Sequence, residues 1–512
     1  MRYGFVIDQN RCIGCHACTV ACKEEHNVPI GVYRTWVKYI EKGEFPDTKR
    51  YFSVLRCNHC DDAPCIEICP TVALFRRSDG IVDFDNSRCI GCKSCMQACP
   101  YDALYIDPNT RTAAKCNFCA HRVEVGLEPA CVIVCPEQAI LAGDLDDPGS
   151  RISRTVATQK TSVRKAGKGT RPKLFYLGVD GDLLEPTRVE PQSSYLWADK
   201  NPAAQTLSDP AVENGHGAAP GGAREVYDVP HPALWGGKIA AYLWTKSIAA
   251  GVLLMAAVLL GAGYSGPGRL LEVASPLVAL AFTGLTTLLL ILDLKRPERF
   301  FYLLLKPNLK SWLVWGGYIL FAYGLVSALW LFFGITRGRV PDLLLGLTAL
   351  LAIASACYSA FLFAQAKGRD LWQSPLFFWH LFAQAVTAGS ATLLVLSAVV
   401  QAGPALIGLL GKALYVSLVF DLAMTLGEIS LGHASENVSR AIAYLKEGAL
   451  SGRFWWLAVG LGNLAPILLL MWAGLQDGTG FFVSALAAFL ALIGLWVFED
   501  LWIKAGQSVP LS

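Results

Sequence analysis

The fold is decided by the stretch Cys89-Ile90-Gly91-Cys92-Lys93-Ser94-Cys95-Met96-Gln97-Ala98-Cys99-Pro100, whose cysteines follow the spacing C-x2-C-x2-C-x3-C. The same spacing occurs a second time, and two expanded versions of it occur elsewhere. These three groups are Cys12, Cys15, Cys18 and Cys22, then Cys57, Cys60, Cys65 and Cys69, and finally Cys116, Cys119, Cys131 and Cys135. Sixteen of the 17 cysteines in this 512-residue chain therefore belong to four groups of one kind.

These groups predict iron–sulfur chemistry. A compact loop with this spacing presents three thiolates to three corners of one iron–sulfur cubane, and soft sulfur ligands suit iron. The fourth cysteine, three residues further on, points to a neighbouring cluster. The sixteen cysteines thus predict four [4Fe-4S] clusters. The alternatives are structural zinc, which favours pairs of C-x2-C, and a disulfide framework, which needs an oxidising compartment. Nearby basic residues can raise the potentials of the clusters electrostatically, although a solvated surface position is expected for each of them. They are Lys93, Lys115, Arg122, His16 and His59.

The rest of the chain is apolar. Hydrophobic residues make up 53% and charged residues 17% of the sequence, and the mean hydropathy is +0.40. Soluble domains carry about 25% charged residues, so this composition excludes a disordered or purely soluble protein. The net charge of +3 provides no basic surface, which argues against a nucleic-acid partner.

Eight hydrophobic segments follow residue 235, and each has about the 20 apolar residues that a membrane span requires. They cover approximately 239–263, 273–294, 311–335, 341–365, 375–402, 405–430, 453–475 and 480–503. The sequence therefore predicts an α+β iron–sulfur domain over 1–180, a linker over 181–234 and an all-α, eight-helix membrane bundle over 235–512.

Shorter patterns refine this organisation. Short apolar runs at 80–84 and 103–106 predict small strands between the cysteine groups, and residues 170–176 predict a return strand. The linker is rich in Pro, Gly, Ser and charged residues, which favours an extended segment, with disorder as the alternative.

The charges of the loops predict the orientation in the membrane. An even number of spans places both ends of the chain on one side. Loops on that side hold ten basic residues, and loops on the other side hold four. Because basic residues concentrate on the inner side, we expect a multi-pass protein of the inner (cytoplasmic) membrane whose iron–sulfur domain faces the cytoplasm.

The four cysteine groups, in this order, resemble the four-cluster ferredoxin subunits of molybdopterin oxidoreductases, of the dimethyl sulfoxide and polysulfide reductase type. The resemblance covers about residues 1–180 and implies a bis-ferredoxin-like fold and a molybdopterin-containing catalytic partner. It also implies ligand sets that cross between groups. These sets are Cys12, Cys15, Cys18 with Cys135; Cys116, Cys119, Cys131 with Cys22; Cys89, Cys92, Cys95 with Cys69; and Cys57, Cys60, Cys65 with Cys99.

A second resemblance covers about residues 231–512. The segments 293–300, 307–316, 358–362, 371–375 and 504–507 are similar to the NrfD or polysulfide reductase membrane subunits. Members of that family are haem-free, quinone-reactive anchors, with the quinone pocket beside the iron–sulfur subunit. The resemblance implies menaquinone or ubiquinone as a reactant and places Tyr242 and Tyr358 at the quinone. A phenol can donate a hydrogen bond to a quinone carbonyl, although core packing is the alternative role.

Ionisable residues inside spans are functional candidates because they are costly there. Lys246 is expected to pair with Asp293, Asp421 or Glu428. The latter two carboxylates lie seven residues apart on one helix face, with His433 just beyond. We expect Glu428 and His433 to pass protons between the cytoplasm and the quinone, with a polar clamp between helices as the alternative.

Haem is not expected. The chain has eight histidines, and only His380 and His433 lie in or beside a span, which is too few for two pairs of axial ligands. The sequence therefore predicts an electron-transfer, quinone-reactive membrane subunit whose substrate chemistry lies on a separate chain. The alternatives are the same role beside a hydrogenase or multihaem cytochrome, and a redox-driven proton-translocating module.

Overall fold

The computed structural model describes residues 1–44, 46–190, 222–264, 269–400, 402–431, 435–474 and 480–512. His433 and residues 191–221 of the predicted linker lie outside these ranges.

The N-terminal part consists of short strands and helices around the cysteine groups. Its strands are β1 (Tyr3–Asp8), β2 (Thr35–Lys42), β3 (Lys49–Arg56), β4 (Leu74–Arg76), β5 (Val82–Phe84), β6 (Leu104–Ile106), β7 (Ala113–Lys115), β8 (Ile140–Asp144), β9 (Thr161–Ser162), β10 (Leu174–Leu177) and β11 (Arg224–Tyr227). Its helices are α1 (Ala17–Glu25), α2 (Pro64–Ile68), α3 (Ser94–Ala98), α4 (Ala120–Val123), α5 (Ala130–Ile133), α6 (Arg151–Thr158) and α7 (Gly181–Leu184).

The main sheet has the strand order β8-β1-β10-β9, with β1 parallel to β10. Strand β1 is central because Phe5, Val6 and Ile7 are all buried. The predicted return strand is β10, and it runs directly beside the first strand. Two small hairpins, β4-β5 and β6-β7, carry the predicted short strands. These hairpins separate the cysteine groups from one another.

Part of the predicted linker, residues 224–227, forms a strand of a sheet. Strand β11 pairs antiparallel with β2, which in turn pairs with β3. Leu183, Val189 and Ala223 pack with Ile40 of β2 in a small apolar core. The segment is a strand here because it covers an otherwise open edge of β2.

The C-terminal part is helical. Its helices are α8 (Gly237–Gly261), α9 (Ser275–Asp293), α10 (Tyr302–Leu305), α11 (Trp312–Arg337), α12 (Asp342–Ala364), α13 (Phe377–Val400), α14 (Pro404–Ser430), α15 (Glu436–Lys446), α16 (Ala465–Gly474) and α17 (Gly480–Ser508). A π-helical turn, Leu270–Ala274, precedes α9, and a longer one, Arg453–Leu464, precedes α16. Within the described residues, eight helices are long and apolar enough to cross a membrane. The predicted fold class is confirmed.

The eight long helices form two bundles of four. Helices α8, α9, α11 and α12 pack together, and α13, α14, α16 and α17 form the second bundle. Helix α8 of the first bundle crosses helix α13 of the second, and a glycine from each helix lies at the crossing point. A Cβ atom on Gly251 would lie 2.7 Å from the backbone nitrogen of Gly389. Small residues allow backbones to approach this closely inside a membrane, where packing drives helix association.

Candidate cluster sites and membrane cavity

Three cavities in the N-terminal part are each lined by four cysteines. In every case three cysteines come from one sequence group and the fourth comes from another. The sets are Cys12, Cys15, Cys18 and Cys135; Cys57, Cys60, Cys65 and Cys99; and Cys89, Cys92, Cys95 and Cys69. In the described chain, no group of three or more His, Cys, Asp or Glu side chains is arranged to hold a single metal ion.

The remaining four cysteines also come together. Burial raises the pKa of the Cys22 thiol, and the neighbouring Cys116, Cys131 and Cys119 raise it further. Helix α1, which carries Cys22, packs on α5, which carries Cys131. All sixteen cysteines thus fall into four sets with the membership that the resemblance implies.

These sets suit iron–sulfur cubanes on two grounds. Each set offers soft sulfur ligands around a space between loops, as such clusters require. Backbone N–H groups also point at the sulfurs, since Gly91 and Ala113 both donate to Cys89 Sγ at 3.4 Å and Ala139 donates to Cys135 Sγ at 3.2 Å. Gly91 has a φ of +68°, which favours glycine at this point of the loop.

The four sets form a row. Burial raises the pKa of Cys18 to about 11, and Cys131 of the next set contributes to that increase. Cys57 likewise raises the pKa of Cys116, and Cys65 raises the pKa of Cys95. Each set is therefore an electrostatic neighbour of the next. The row begins at the set that contains the exposed Cys15 and ends at the set of Cys89, Cys92, Cys95 and Cys69.

Arg56 is a buried cation that the sequence reasoning missed. Its side chain is 1% exposed, and its Nη1 donates to Cys131 Sγ at 2.9 Å. Burial lowers its pKa, but the thiols of Cys131, Cys116 and Cys18 outweigh that effect and raise it. The only signal in the sequence is its position next to Cys57. Arg56 therefore places a positive charge between the first two sets of the row.

The expectation of solvated basic residues near the clusters is wrong for three of them. Lys93, Lys115 and His59 are all buried, with exposures of 6%, 0% and 1%. Burial lowers the pKa of His59 well below its usual value, and the cation of Lys115 lowers it further. Lys115 donates to the carbonyl oxygen of Cys116 at 2.9 Å. Lys93 is buried because it pairs with Asp293 of the helical part at 2.8 Å.

A large cavity lies where the row of sets meets the membrane helices. Its volume is about 720 Å³, and its walls come from α8, α9, α11 and α12 together with the loop of Cys92 and Ser94. Leu288, Phe321 and Leu325 line it and are at least half exposed on the outer surface of the bundle. The cavity is therefore open toward the lipid side. Its polar lining residues include Tyr242, Thr283, Thr287, Asp293 and Tyr358.

Tyr242 and Tyr358, which the resemblance places at a quinone, both line this cavity. The hydroxyl groups of Tyr242 and Ser359 lie 3.3 Å apart. Tyr358 packs so closely on Gly316 of α11 that a Cβ atom there would overlap its ring. Gly316 thereby fixes the position of the Tyr358 ring.

The predicted pairing of Lys246 with Asp293, Asp421 or Glu428 is wrong. Its Nζ donates to Ser359 Oγ at 2.6 Å and to the carbonyl oxygen of Ala356 at 2.8 Å. It also lies 4.9 Å from the centre of the Tyr358 ring. These acceptors lie on the facing helix α12 within direct reach, whereas Asp293 is already paired with Lys93 of the iron–sulfur domain at 2.8 Å.

Several loops of the helical part hold the cluster loops in place. Asn308 Nδ2 donates to the Cys69 carbonyl at 2.8 Å, and Arg369 Nε donates to Gln97 Oε1 at 2.8 Å. Gln97 also donates to Gln507 Oε1 at 2.8 Å. Three of these residues lie in or beside segments 307–316, 371–375 and 504–507, which carried the second resemblance. Those segments therefore position the last cluster set against the cavity.

The second bundle holds a buried acid–histidine group, which we call the His380 group. His380 Nδ1 lies 3.2 Å from Asp421 Oδ1, and its Nε2 lies 3.2 Å from Glu428 Oε2. The prediction that both carboxylates share one helix face is confirmed. His380 was recognised only as an ionisable residue in a span, and its partners could not be seen in the sequence.

Comparisons with known proteins cover both parts of the chain. A family model described as "Polysulphide reductase, NrfD" matches residues 225–510. Models described as "4Fe-4S dicluster domain" and "4Fe-4S binding domain" match residues 48–145 and 3–24.

Three relatives are similar to parts of the chain. A tetrathionate reductase subunit of Salmonella typhimurium is 44% identical over 200 residues, which are 38% of this chain and 80% of the relative. A protein of Halobacterium salinarum, named as a putative dimethyl sulfoxide reductase iron-sulfur subunit, is 37% identical over 43% of this chain and 95% of the relative. Protein NrfC of Escherichia coli is 47% identical over 34% of this chain and 80% of the relative.

Proposed function

The chain is a member of the polysulphide reductase NrfD family and carries 4Fe-4S binding domains, and from this premise we propose a specific role in electron transfer. It is the electron-transfer and quinone-reactive subunit of a multi-subunit oxidoreductase. Electrons pass along four [4Fe-4S] clusters between a molybdopterin-containing catalytic subunit and a membrane quinone, without haem. Substrate chemistry belongs to the partner, and the reaction on this chain is that of the quinone.

One observation carries the proposal. The set of Cys89, Cys92, Cys95 and Cys69 ends the row, and Cys92 lines the same cavity as Tyr242 and Tyr358. A redox group held by Cys92 therefore borders the cavity directly. Each of the four sets would hold one cubane, which supplies one-electron redox chemistry when bound.

The cavity suits a quinone in size and polarity. Its volume of about 720 Å³ lies within the roughly 300 to 1,000 Å³ of small-molecule sites. The opening beside Leu288 and Phe321 offers a route for an isoprenoid tail from the lipid. At the inner end, the hydroxyl groups of Tyr242 and Tyr358 can donate to quinone oxygens. Lys246 holds Ser359, and through it Tyr242, in place.

Reduction of a quinone to a quinol consumes two electrons and two protons. Asp293 lies at the end of α9, lines the cavity and faces Lys93, so it can exchange protons with the side that holds the iron–sulfur domain. Glu428, near the end of α14, is the second proton-transfer residue that we propose. His433, just beyond Glu428 in the sequence, is proposed to pass protons together with it.

The catalytic partner would contact the opposite end of the row. Large apolar side chains are strongly exposed around the first set, including Ile13 at 54%, Val20 at 65% and Ile30 at 97%. Ile133, within the fourth cysteine group, is 55% exposed. Exposed apolar patches of this kind mark protein interfaces. A subunit seated here would bring its own redox centre close to Cys15.

The protein is a multi-pass membrane protein, and we propose that the iron–sulfur domain faces the cytoplasm. The ten-to-four excess of basic residues on that side supports this orientation. A protease or a thiol reagent applied from either side of sealed membrane vesicles would establish it.

The experiment that tests the proposal replaces Tyr358 by Phe in the complete complex. Loss of one donor to a developing negative charge should lower quinone turnover by about 100-fold while cluster content stays intact. Tyr323→Phe is the matched control, because Tyr323 is also a buried tyrosine of the first bundle but does not line the cavity. Unchanged turnover in Tyr358→Phe would remove this tyrosine from the site.

The identity of the partner needs a separate measurement. Pterin together with molybdenum or tungsten in the purified complex is the expected result. A complex that instead contained nickel or several haems would favour the hydrogenase or multihaem cytochrome alternative.

A further inference from the structure

Glu499, in the second half of α17, is a buried carboxylate outside the cavity. Its side chain is 3% exposed, and neither of its oxygens has a hydrogen-bond partner among the described residues. An ionised carboxylate without donors is costly at such a depth, and intramembrane carboxylates of this kind mark proton pathways. Helix packing alone gives no reason for a glutamate at this position.

The neighbours of Glu499 belong to two different polar groups. Helix α17 packs on α8, which carries Lys246, and Phe498, the residue before Glu499, packs on His380 with ring centroids 6.0 Å apart. The charge of Glu499 interacts with those of Lys246 and Asp421. Lys246 donates to Ser359, whose hydroxyl lies 3.3 Å from that of Tyr242 at the cavity. Asp421 belongs to the His380 group. Glu499 therefore stands between the lining of the cavity and the acid–histidine group of the second bundle.

The far side of the His380 group points back toward the iron–sulfur domain. Glu428 lies two residues before the end of α14, and His380 is the fourth residue of α13. The aromatic rings of Phe498 and Trp502 pack on His380 and close the group on its apolar side. Glu428, His380 and Asp421 therefore form one connected group that begins at this helix end.

We propose that Glu499 stores one proton and exchanges it with the quinone site, which makes the second bundle a proton reservoir for the quinone reaction. This inference rests on the proposed function. In the reducing direction, the quinone gains two electrons from the iron–sulfur row and two protons, one by way of Asp293 and one by way of Tyr242. Tyr242 donates one of these protons to a quinone oxygen and regains a proton from Ser359, which regains one from Lys246. Glu499 then protonates Lys246, becomes a carboxylate and is reprotonated through the His380 group.

The test uses the intact membrane complex and a soluble quinol analogue. Redox-induced infrared difference spectra should show the carbonyl band of a protonated carboxylic acid that changes when the quinone is reduced. Glu499→Gln should abolish this band. It should also lower quinone turnover by about 100-fold, which is the lower end of the effect expected for loss of a proton-transfer group. Iron and acid-labile sulfide should remain at the level of the unmodified complex.

Glu272→Gln is the matched control. Glu272 is 8% exposed and has an unpartnered oxygen too, but it lies at the start of the second span, at the opposite end of the bundle. Its substitution should leave both the band and turnover unchanged. If Glu499→Gln does not assemble, Glu499→Asp should shift the band and keep intermediate turnover. A band that survives Glu499→Gln, or that keeps its position in Glu499→Asp, overturns the inference.

Failure of the inference can be told apart from failure of the proposed function. Gly324 lines the cavity and has open space around a Cβ atom, so Gly324→Phe should fill the cavity and stop quinol-driven cluster reduction. If Gly324→Phe reacts normally, the quinone role itself is wrong. If Gly324→Phe is inactive while Glu499→Gln keeps the infrared band and full turnover, only the reservoir is wrong.

Discussion

Arg56 carries a buried positive charge, and its partners are thiols rather than carboxylates. Its Nε and Nη2 have no hydrogen-bond partner among the described residues, and its guanidinium lies 4.7 Å from the centre of the Phe5 ring. A buried cation needs a nearby negative group to offset its desolvation, and cysteine-ligated clusters provide one. Such a charge stabilises the reduced, more negative form of a cluster.

We therefore expect Arg56→Gln to lower the reduction potentials of the clusters in the first two sets of the row. A decrease of roughly 60 mV or more is expected, because about 59 mV corresponds to a tenfold change for a one-electron couple. Redox titration followed by electron paramagnetic resonance would measure it. Arg50→Gln is the control, because Arg50 lies on the same strand but is half exposed and pairs with Glu41. Unchanged potentials in Arg56→Gln would contradict this role.

Cys99 tests the crossed ligand sets. It follows Cys95 in its sequence group but lies in the cavity of Cys57, Cys60 and Cys65. We expect Cys99→Ser to lose or alter the same resonance signal as Cys57→Ser, while the signal affected by Cys89→Ser remains. If Cys99→Ser instead matched Cys89→Ser, each sequence group would hold its own cluster.

At the scale of elements, helix α11 positions the proposed quinone site through one glycine. Gly316 leaves just enough room for the ring of Tyr358 on the facing helix. Gly316→Leu should displace that ring, and misplacement of a reacting group by about 1 Å can cost on the order of 100-fold in rate. Quinone turnover measures the effect. Gly346→Leu is the control, since Gly346 lies on α12 with open space around it and should keep full turnover. Equal turnover in both variants would exclude this role of α11.

The elements differ in how well their contacts could be predicted. Cysteine spacing and hydrophobic length define the cluster loops and the eight spans, because both depend on residues close in sequence. The partners of Lys246 and His380 depend on how each helix is rotated about its axis. A helix that is apolar all round has no amphipathic stripe to set that rotation. The burial of Lys93 depends on its contact with Asp293, which lies 200 residues away in the sequence.

At the scale of the whole molecule, the two parts of the protein form one path. The row of cysteine sets runs from the exposed Cys15 to Cys92, and the helices place the cavity directly beside that end. The two resemblances account for the two halves separately. At the interface between the two halves, Arg369 and Gln507 form hydrogen bonds with Gln97. Both residues are more than 250 positions from Gln97 in the sequence, so local patterns could not predict the contact.

The central claim is that electrons pass between the clusters and a quinone in this cavity. The most direct test adds quinol anaerobically to the purified, oxidised complex and follows cluster reduction by its absorbance and resonance signals. We expect rapid reduction in the unmodified protein and in Gly346→Phe, and a loss of about 100-fold or more in Gly324→Phe, whose side chain would occupy the cavity. Cluster reduction at the same rate in Gly324→Phe and Gly346→Phe would contradict the claim.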